Sequence, residues 1–393
     1  MEKISLDTNP NSNLFYEFHQ SRTDSMLGLI QISHGMAEHK GRYKEFINFL
    51  NLNGFHVVIH DHRGHGERIL NNEIGFFDQE NGWNLVVNDL LAIHLDTNKR
   101  FPNMPKILLG HSMGSWIGLS ALQQKNIFDA AMLSGSSYPN SSETFIQKLL
   151  LKIEMFRLGK NGYSTLLHKI IFGGFNSKFK NTITPNDWLS QDVERVEDYT
   201  NDPLCGFVVT NHLWSDLIEG IQLVFDQKNL SFIKKYDLIV NCDPLNIITK
   251  KYFNKKFEKE YNSKAYTTII THEKILNNIA VQIFTNKGPL AFLPISNTQT
   301  SVVYSISNNI NKVKENIEKL IKNQNTKYKI KQIEKINNYE LVFLNLRDYH
   351  YKNILAFGDL LHKIHPLAGQ GFNMTIRDIE ILLNIIKKKI DVG

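Results

Sequence analysis

The chain has 393 residues, 42% hydrophobic and 21% charged, which is enough apolar material for two ordinary domains or one large one and too much for a disordered chain. Its net charge of +6 is spread over many lysines, the mark of a solvated surface and not of a nucleic-acid binder. The two cysteines, Cys205 and Cys242, imply neither a disulfide framework nor a cysteine-built metal site; with no signal-peptide start and no apolar run of spanning length, a cytoplasmic protein is expected.

Strand-like content begins at residues 13–19 and 26–33, and the second stretch runs into His34-Gly35-Met36-Ala37-Glu38-His39. A strand that ends in His-Gly, two strands ahead of a nucleophile, is where an oxyanion-hole amide is found, and the N–H of Met36 is the candidate. Residues 55–60 read as a buried strand, followed by Asp61-His62-Arg63-Gly64-His65-Gly66. Residues so close in sequence rarely all face one metal ion, so this cluster is read as a hydrogen-bonded brace beneath the nucleophile turn. Apolar spacing predicts a helix over 83–95, then strands over 107–109 and 130–135.

Between the last two strands lies Gly110-His111-Ser112-Met113-Gly114, with helical spacing from Trp116 onward. Strand, sharp turn and helix together lift a serine hydroxyl above the sheet edge, with the helix N-terminus and the Met113 N–H facing any oxyanion formed there. Ser112 is therefore the candidate nucleophile. Strands alternating with helices predict a parallel sheet covered on both faces.

With these motifs, Arg42-Tyr43 and Asn201-Asp202-Pro203-Leu204, residues 28–233 resemble the α/β-hydrolase family, in particular its monoacylglycerol lipase and lysophospholipase branch. The resemblance implies hydrolysis of lipid esters through a serine acyl-enzyme, without a cofactor, under a cap at about 137–215. The apolar stripe of residues 145–156 would line an acyl pocket, pack as core, or make peripheral contact with a membrane.

A serine nucleophile needs a base and an acid that orients it, in this family in the order Ser, Asp, His. The hydrolase-like sequence stops near residue 233. By order and strand-end placement, Asp243 and His272 are the tempting partners, as a makeshift acid and base.

Residues 236–393 resemble instead the C-terminal part of the FAD-dependent aromatic hydroxylases, closest to the ubiquinone-biosynthesis branch. The resemblance rests on Gly358-Asp359, on His365-Pro366-Leu367-Ala368-Gly369-Gln370-Gly371-Phe372-Asn373, and on Arg377-Asp378. It implies FAD contacts from Gly358, Asp359, Pro366, Gly369, Gln370, Gly371 and Asn373. Residues 280–294 resemble the substrate-domain sheet of those enzymes, and 238–243 the strand before their Asp-Gly motif, with Pro244 where the family has glycine. The opening strand and G-x-G-x-x-G are absent, which leaves the adenosine end of FAD without a seat. Apolar spacing predicts a helix within 308–335.

The expected fold is thus α/β: an incomplete α/β-hydrolase sheet with a helical cap (1–233), followed by an α+β flavin-hydroxylase-like partial domain (236–393). A serine hydrolase is the favoured function. An FAD-dependent monooxygenase and a catalytically inactive fusion are the alternatives.

Overall fold

Among the described residues, six strands form the sheet of the first of two units, Met1–Lys235 and Tyr236–Gly393, in a computed structural model. The structure describes residues 1–6, 13–71, 73–125, 127–136, 141–177, 182–190, 192–226, 228–229, 238–243, 247–307, 317–363 and 370–390. The strands are β1 (Glu2–Ser5), β2 (Phe15–His19), β3 (Gly28–Ser33), β4 (Phe55–Ile59), β5 (Lys106–His111) and β6 (Ala130–Ser134), in the order β1-β2-β4-β3-β5-β6. From β4 to β6 the pairing is parallel. The expected all-parallel sheet needs one correction, since β1 and β2 form an antiparallel edge. The reason is visible in β2, where buried Tyr16 and Phe18 alternate with half-buried Phe15, Glu17 and His19, the pattern of an edge ribbon, whereas β3 is buried throughout.

Helices cover both faces. Helix α1 (Lys44–Leu52) places Ile47 and Leu50 against Ile30, Ile32, Val57 and Ile59. On the other face, Ile93 of α2 (Gly82–Arg100) meets Leu29, Val58, Tyr16 and Phe18. Successive strand residues thus feed opposite cores, as the two-residue period requires. Helix α3 (Met113–Gln124) packs on β5. Between β6 and α7 (Asn211–Val224) lie α4 (Ser141–Leu158), α5 (Thr165–Asn176) and α6 (Val193–Asn201); α7 itself returns to pack on α2 and α3. Among the described residues β6 is the last strand of this sheet, and its five residues are all exposed, unusual for a parallel strand and consistent with an incomplete hydrolase sheet.

The second unit is α+β. Its elements are β7 (Ile239–Asn241), α8 (Ile247–Tyr252), β8 (Lys256–His272), β9 (Val281–Thr285), β10 (Gly288–Pro294), β11 (Gln299–Ser307), α9 (Ile317–Gln324), β12 (Ile330–Ile333), β13 (Asn337–Leu346), β14 (His350–Tyr351), β15 (Ile354–Ala356), β16 (His362–Lys363) and α10 (Gln370–Ile390). Among the described residues, seven strands make an antiparallel sheet, β16-β13-β8-β11-β10-β9, with β12 also on β8. A three-stranded sheet, β14-β15-β7, pairs β7 parallel to β15. Within 308–335 the described helix is confined to α9, and residues 330–333 are a strand. Helical spacing there overran because Ile317, Leu320 and Ile321 pack on the sheet core beside Ile270 and Tyr304, while Ile330 and Ile333 reach that core from β12. Residues 308–316 lie outside the described residues. Among the described residues, no helix is long and apolar enough to cross a membrane.

Candidate active site

Ser112 sits at the turn between β5 and α3 with φ +51° and ψ −120°. A β-carbon-bearing residue adopts this conformation at a cost of about 1–3 kcal/mol, and such strain is held only where the surroundings enforce it. They do so here through short bonds: Ser112 N–H donates to Ser134 O at 2.8 Å, and Ser112 O accepts from Ser115 N–H at 2.9 Å and from Ser115 Oγ at 2.5 Å. Met113 is the first residue of α3, so its N–H has no partner within the helix.

The loop after β3 lies beside the turn. Ser33 pairs with Gly110 in register, and a β-carbon on Gly35 would lie 3.2 Å from Ser112 Cβ. Both sides of Gly35 are pinned: its N–H donates to Glu38 Oε1 at 2.5 Å, and its carbonyl accepts from His34 Nδ1 at 2.7 Å. His34 Nε2 accepts the backbone N–H of His62 at 3.0 Å, which leaves the ring proton on Nδ1. In a trans peptide the N–H points opposite the carbonyl, so holding Gly35 O against His34 aims the Met36 N–H away from His34.

Glu38, Lys40 and the Asp61–Gly66 loop brace this arrangement. Glu38 is buried, accepts from Tyr43 Oη at 2.9 Å and pairs with Arg42. Burial pushes its carboxyl up, but the charge of Arg42 and the Gly35 N–H prevail and hold it below the ordinary glutamate value. Asp61 accepts from Lys40 N–H and Nζ and from Glu67 N–H. His34, His60, His62 and His65 are wholly buried, and burial pushes each below the ordinary histidine value, His65 down to about 3. These are neutral rings in a packed brace.

The residues put forward as acid and base lie in the second unit. His272 ends β8, buried, with Nδ1 bonded to Glu273 O at 2.8 Å and Nε2 to Thr300 Oγ1 at 2.9 Å. Asp243 follows β7 in the other sheet, where its carbonyl accepts from Thr249 Oγ1. Both ring nitrogens of His272 are engaged within its own sheet, and neither bonds to Asp243. Among the described residues, no imidazole hydrogen bonds to Ser112 Oγ.

Of the flavin-contact residues, Gly358 follows β15 with φ +64° and open space where a β-carbon would be. The side chain of Asp359, and Pro366 and Gly369, lie outside the described residues; Gln370, Gly371 and Asn373 fall in the first turn of α10. The Gly358 turn admits a close ligand, but no glycine-rich βαβ unit is present among the described residues to hold the pyrophosphate.

Sequence reasoning passed over Glu38, Lys40 and the pairing of His39 with Asp202. A glutamate three residues past a glycine carries no signal until the loop folds back on itself.

Against known proteins, the profile of the family described as Serine aminopeptidase, S33 matches residues 24–234, more than half of the chain. Monoglyceride lipase of Rattus norvegicus is 32% identical over 187 residues, 45% of this chain and 52% of that protein. Monoglyceride lipase of Homo sapiens is 31% identical over 193 residues, 46% and 54% of the two chains. This chain spans about half the length of these lipases. A separate region is similar to ubiquinone biosynthesis monooxygenase COQ6, mitochondrial, of Drosophila melanogaster, 22% identical over 188 residues, 37% of this chain and 39% of that protein. Among solved structures, a carboxyl esterase from Bacillus coagulans in complex with glycerol superposes with a TM-score of 0.53 at 22% identity, covering 63% of this chain and 81% of that one, a likeness of fold.

Proposed function

The chain belongs to the hydrolase family described as Serine aminopeptidase, S33, and from that membership we propose that its first unit hydrolyses a lipid ester, a monoacylglycerol or a lysophospholipid, with Ser112 as nucleophile. The observation that carries this reading is the left-handed backbone of Ser112 at the head of α3, beside the pinned loop of Gly35 and Met36. Ser112 Oγ attacks the ester carbonyl, and the oxyanion takes hydrogen bonds from the N–H groups of Met36 and Met113. Collapse of that intermediate releases the alcohol and leaves an acyl-serine for water to hydrolyse.

With no imidazole on Ser112 Oγ among the described residues, its proton passes to solvent. The chain alone then has the residual catalysis of an oxyanion hole and a binding site, on the order of 10³–10⁴-fold above the uncatalysed reaction. The exposed apolar face of α4 supports substrate delivery from a lipid surface by peripheral contact. The test is fluorophosphonate labelling of the full chain, read by peptide mapping, with monoacylglycerol turnover alongside. Adduct on Ser112 and slow turnover, both lost in Ser112→Ala, are expected. A folded chain that stays unlabelled overturns the reading in favour of an inactive fusion.

A further inference from the structure

Three metal-ligating side chains with no part in the chemistry proposed for Ser112 meet where the segment after α6 returns to the loop that follows β3. One donor atom from each of His39, Asp202 and Cys205 lies within 4.8 Å of the other two, the one such trio found among the described residues. His39 Nε2 is 2.8 Å from Asp202 Oδ2; Cys205 is buried, while the side chains of His39 and Asp202 are 16% and 30% exposed. We propose that this trio binds one zinc ion, with His39 Nε2, Asp202 Oδ2 and Cys205 Sγ as ligands and solvent at the fourth position.

The donor set chooses the metal. An imidazole nitrogen, a carboxylate oxygen and a thiolate sulfur suit zinc, whereas calcium and magnesium require oxygen. Zinc bonds of about 2.3 Å to sulfur and about 2.0–2.1 Å to nitrogen and oxygen set tetrahedral ligands roughly 3.3–3.6 Å apart. His39 and Asp202 therefore separate by about half an ångström, and Cys205 closes by about one at most. Side-chain rotation supplies both movements. The turn that carries two of the ligands is already fixed, because Leu204 N–H donates to Asp202 Oδ1 at 2.9 Å and Cys205 N–H to Asp202 O at 3.0 Å. The first of these bonds orients the carboxylate from outside the site and leaves Oδ2 for the metal.

The protons balance. His39 Nδ1 accepts from Gly41 N–H at 3.2 Å, so its proton sits on Nε2, facing Asp202. On binding, Nε2 gives its proton up and Nδ1 takes one, while the exposed Gly41 N–H turns to water. The Cys205 thiol releases the single net proton to solvent, and zinc gains a bond to each of three ligands with no change of oxidation state. The ion joins one ligand from the loop after β3 to two beyond α6. The carbonyl of Ala37 in that loop already accepts from Gly206 N–H at 2.9 Å and Tyr199 Oη at 3.0 Å, so the metal tightens an existing clasp.

The experiment titrates the metal-free full chain with Co²⁺ and follows its absorption, a readout independent of any ester turnover. One equivalent should bring in a thiolate-to-cobalt charge-transfer band and intense tetrahedral visible bands, both erased by stoichiometric Zn²⁺. Cys205→Ser should abolish the charge-transfer band, His39→Ala should weaken Co²⁺ binding by about tenfold or more, and Cys242→Ser should leave both unchanged. A folded wild-type chain that develops no charge-transfer band, or a band that survives Cys205→Ser, overturns the proposal. The wild-type titration decides even where a variant fails to fold.

Discussion

A β-carbon on Gly110 would lie 2.6 Å from the carbonyl oxygen of Gly114, and one on Gly114 would overlap the carbonyl oxygens of Ser33 and His34. The two glycines flanking Ser112 are thus contact surfaces between the turn, its helix and the end of β3. The obstructing atoms are backbone and cannot rotate aside, so Gly114→Ala has to displace α3 from β3. We expect a loss of about 2–4 kcal/mol, read as a lower urea midpoint, and a fall of at least about tenfold in fluorophosphonate labelling of Ser112. Wild-type values for both would show that this close approach is not what holds the turn.

Glu38 tests the other half of the site. Glu38→Ala leaves the Gly35 N–H without its acceptor and Arg42 and Tyr43 without their common partner, at a cost of about 2–4 kcal/mol. Glu38→Gln keeps an acceptor for Gly35 and forfeits mainly the charge, so about 1–2 kcal/mol is expected. Labelling rates at Ser112 should fall in the same order, with alanine below glutamine below wild type. Equal rates in all three would detach Glu38 from the oxyanion loop.

Much of this was legible beforehand, for reasons that are local. The Gly110–Gly114 turn announces itself because a strand, two glycines and a helix are contiguous, whereas residues 280–294, which form β9 and β10, were placed in a sheet only by their resemblance to the flavin hydroxylases. What is carried by distant pairs was not legible. The antiparallel edge of β1 and β2 is fixed by pairing with β4 some 40 residues on, and His39 meets Asp202 across 163 positions. His272 shows the same limit from the other side: its place at a strand end suggested a base, and the threonine that engages it, Thr300, comes from the neighbouring strand.

The outward face of α4 carries Phe145 and Phe156, 69% and 96% exposed, with Ile146, Leu149 and Ile153 also in solvent. Burying each phenylalanine in an acyl layer contributes about 2 kcal/mol. Phe145→Glu combined with Phe156→Glu should therefore reduce co-sedimentation of the full chain with phosphatidylcholine vesicles by more than about tenfold, without lowering the urea midpoint. Unchanged partitioning would dismiss this face as the lipid contact.

The buried histidine brace sets a pH limit. In the folded chain burial keeps His60, His62 and His65 neutral well below the ordinary value of about 6.5 and lowers His34 from it as well, while in the unfolded chain all four take protons near that value. The unfolded state binds more protons there, so stability is fully present above about pH 6.5 and falls as pH drops, by about 1.4 kcal/mol per unit for each histidine. Urea midpoints at about pH 7.5 and about pH 5.5 should differ accordingly. Neither ring nitrogen of His60 has a hydrogen-bond partner among the described residues, so His60→Leu should flatten the slope by one histidine. An unaltered slope in that variant would mean that His60 already titrates normally.

Asp216 reverses the sign. Its carboxylate, on α7, accepts the backbone N–H of Trp83 at the start of α2, while Oδ2 has no partner among the described residues. Burial, with Glu219 adding repulsion, pushes its pKa up to about 7. In the unfolded chain the group ionises near 3.9. Between those values the folded state binds more protons, so the contribution of Asp216 declines as pH rises through this window and levels off above about 7. Asp216→Asn keeps an acceptor for Trp83 N–H and removes the charge. It should stabilise the chain by about 2–4 kcal/mol at about pH 8, and the gain should shrink toward zero near pH 4, measured as urea midpoints across that range. A gain independent of pH would instead assign the effect to packing, and a loss at about pH 8 would show that the charged carboxylate is the better cap for α2.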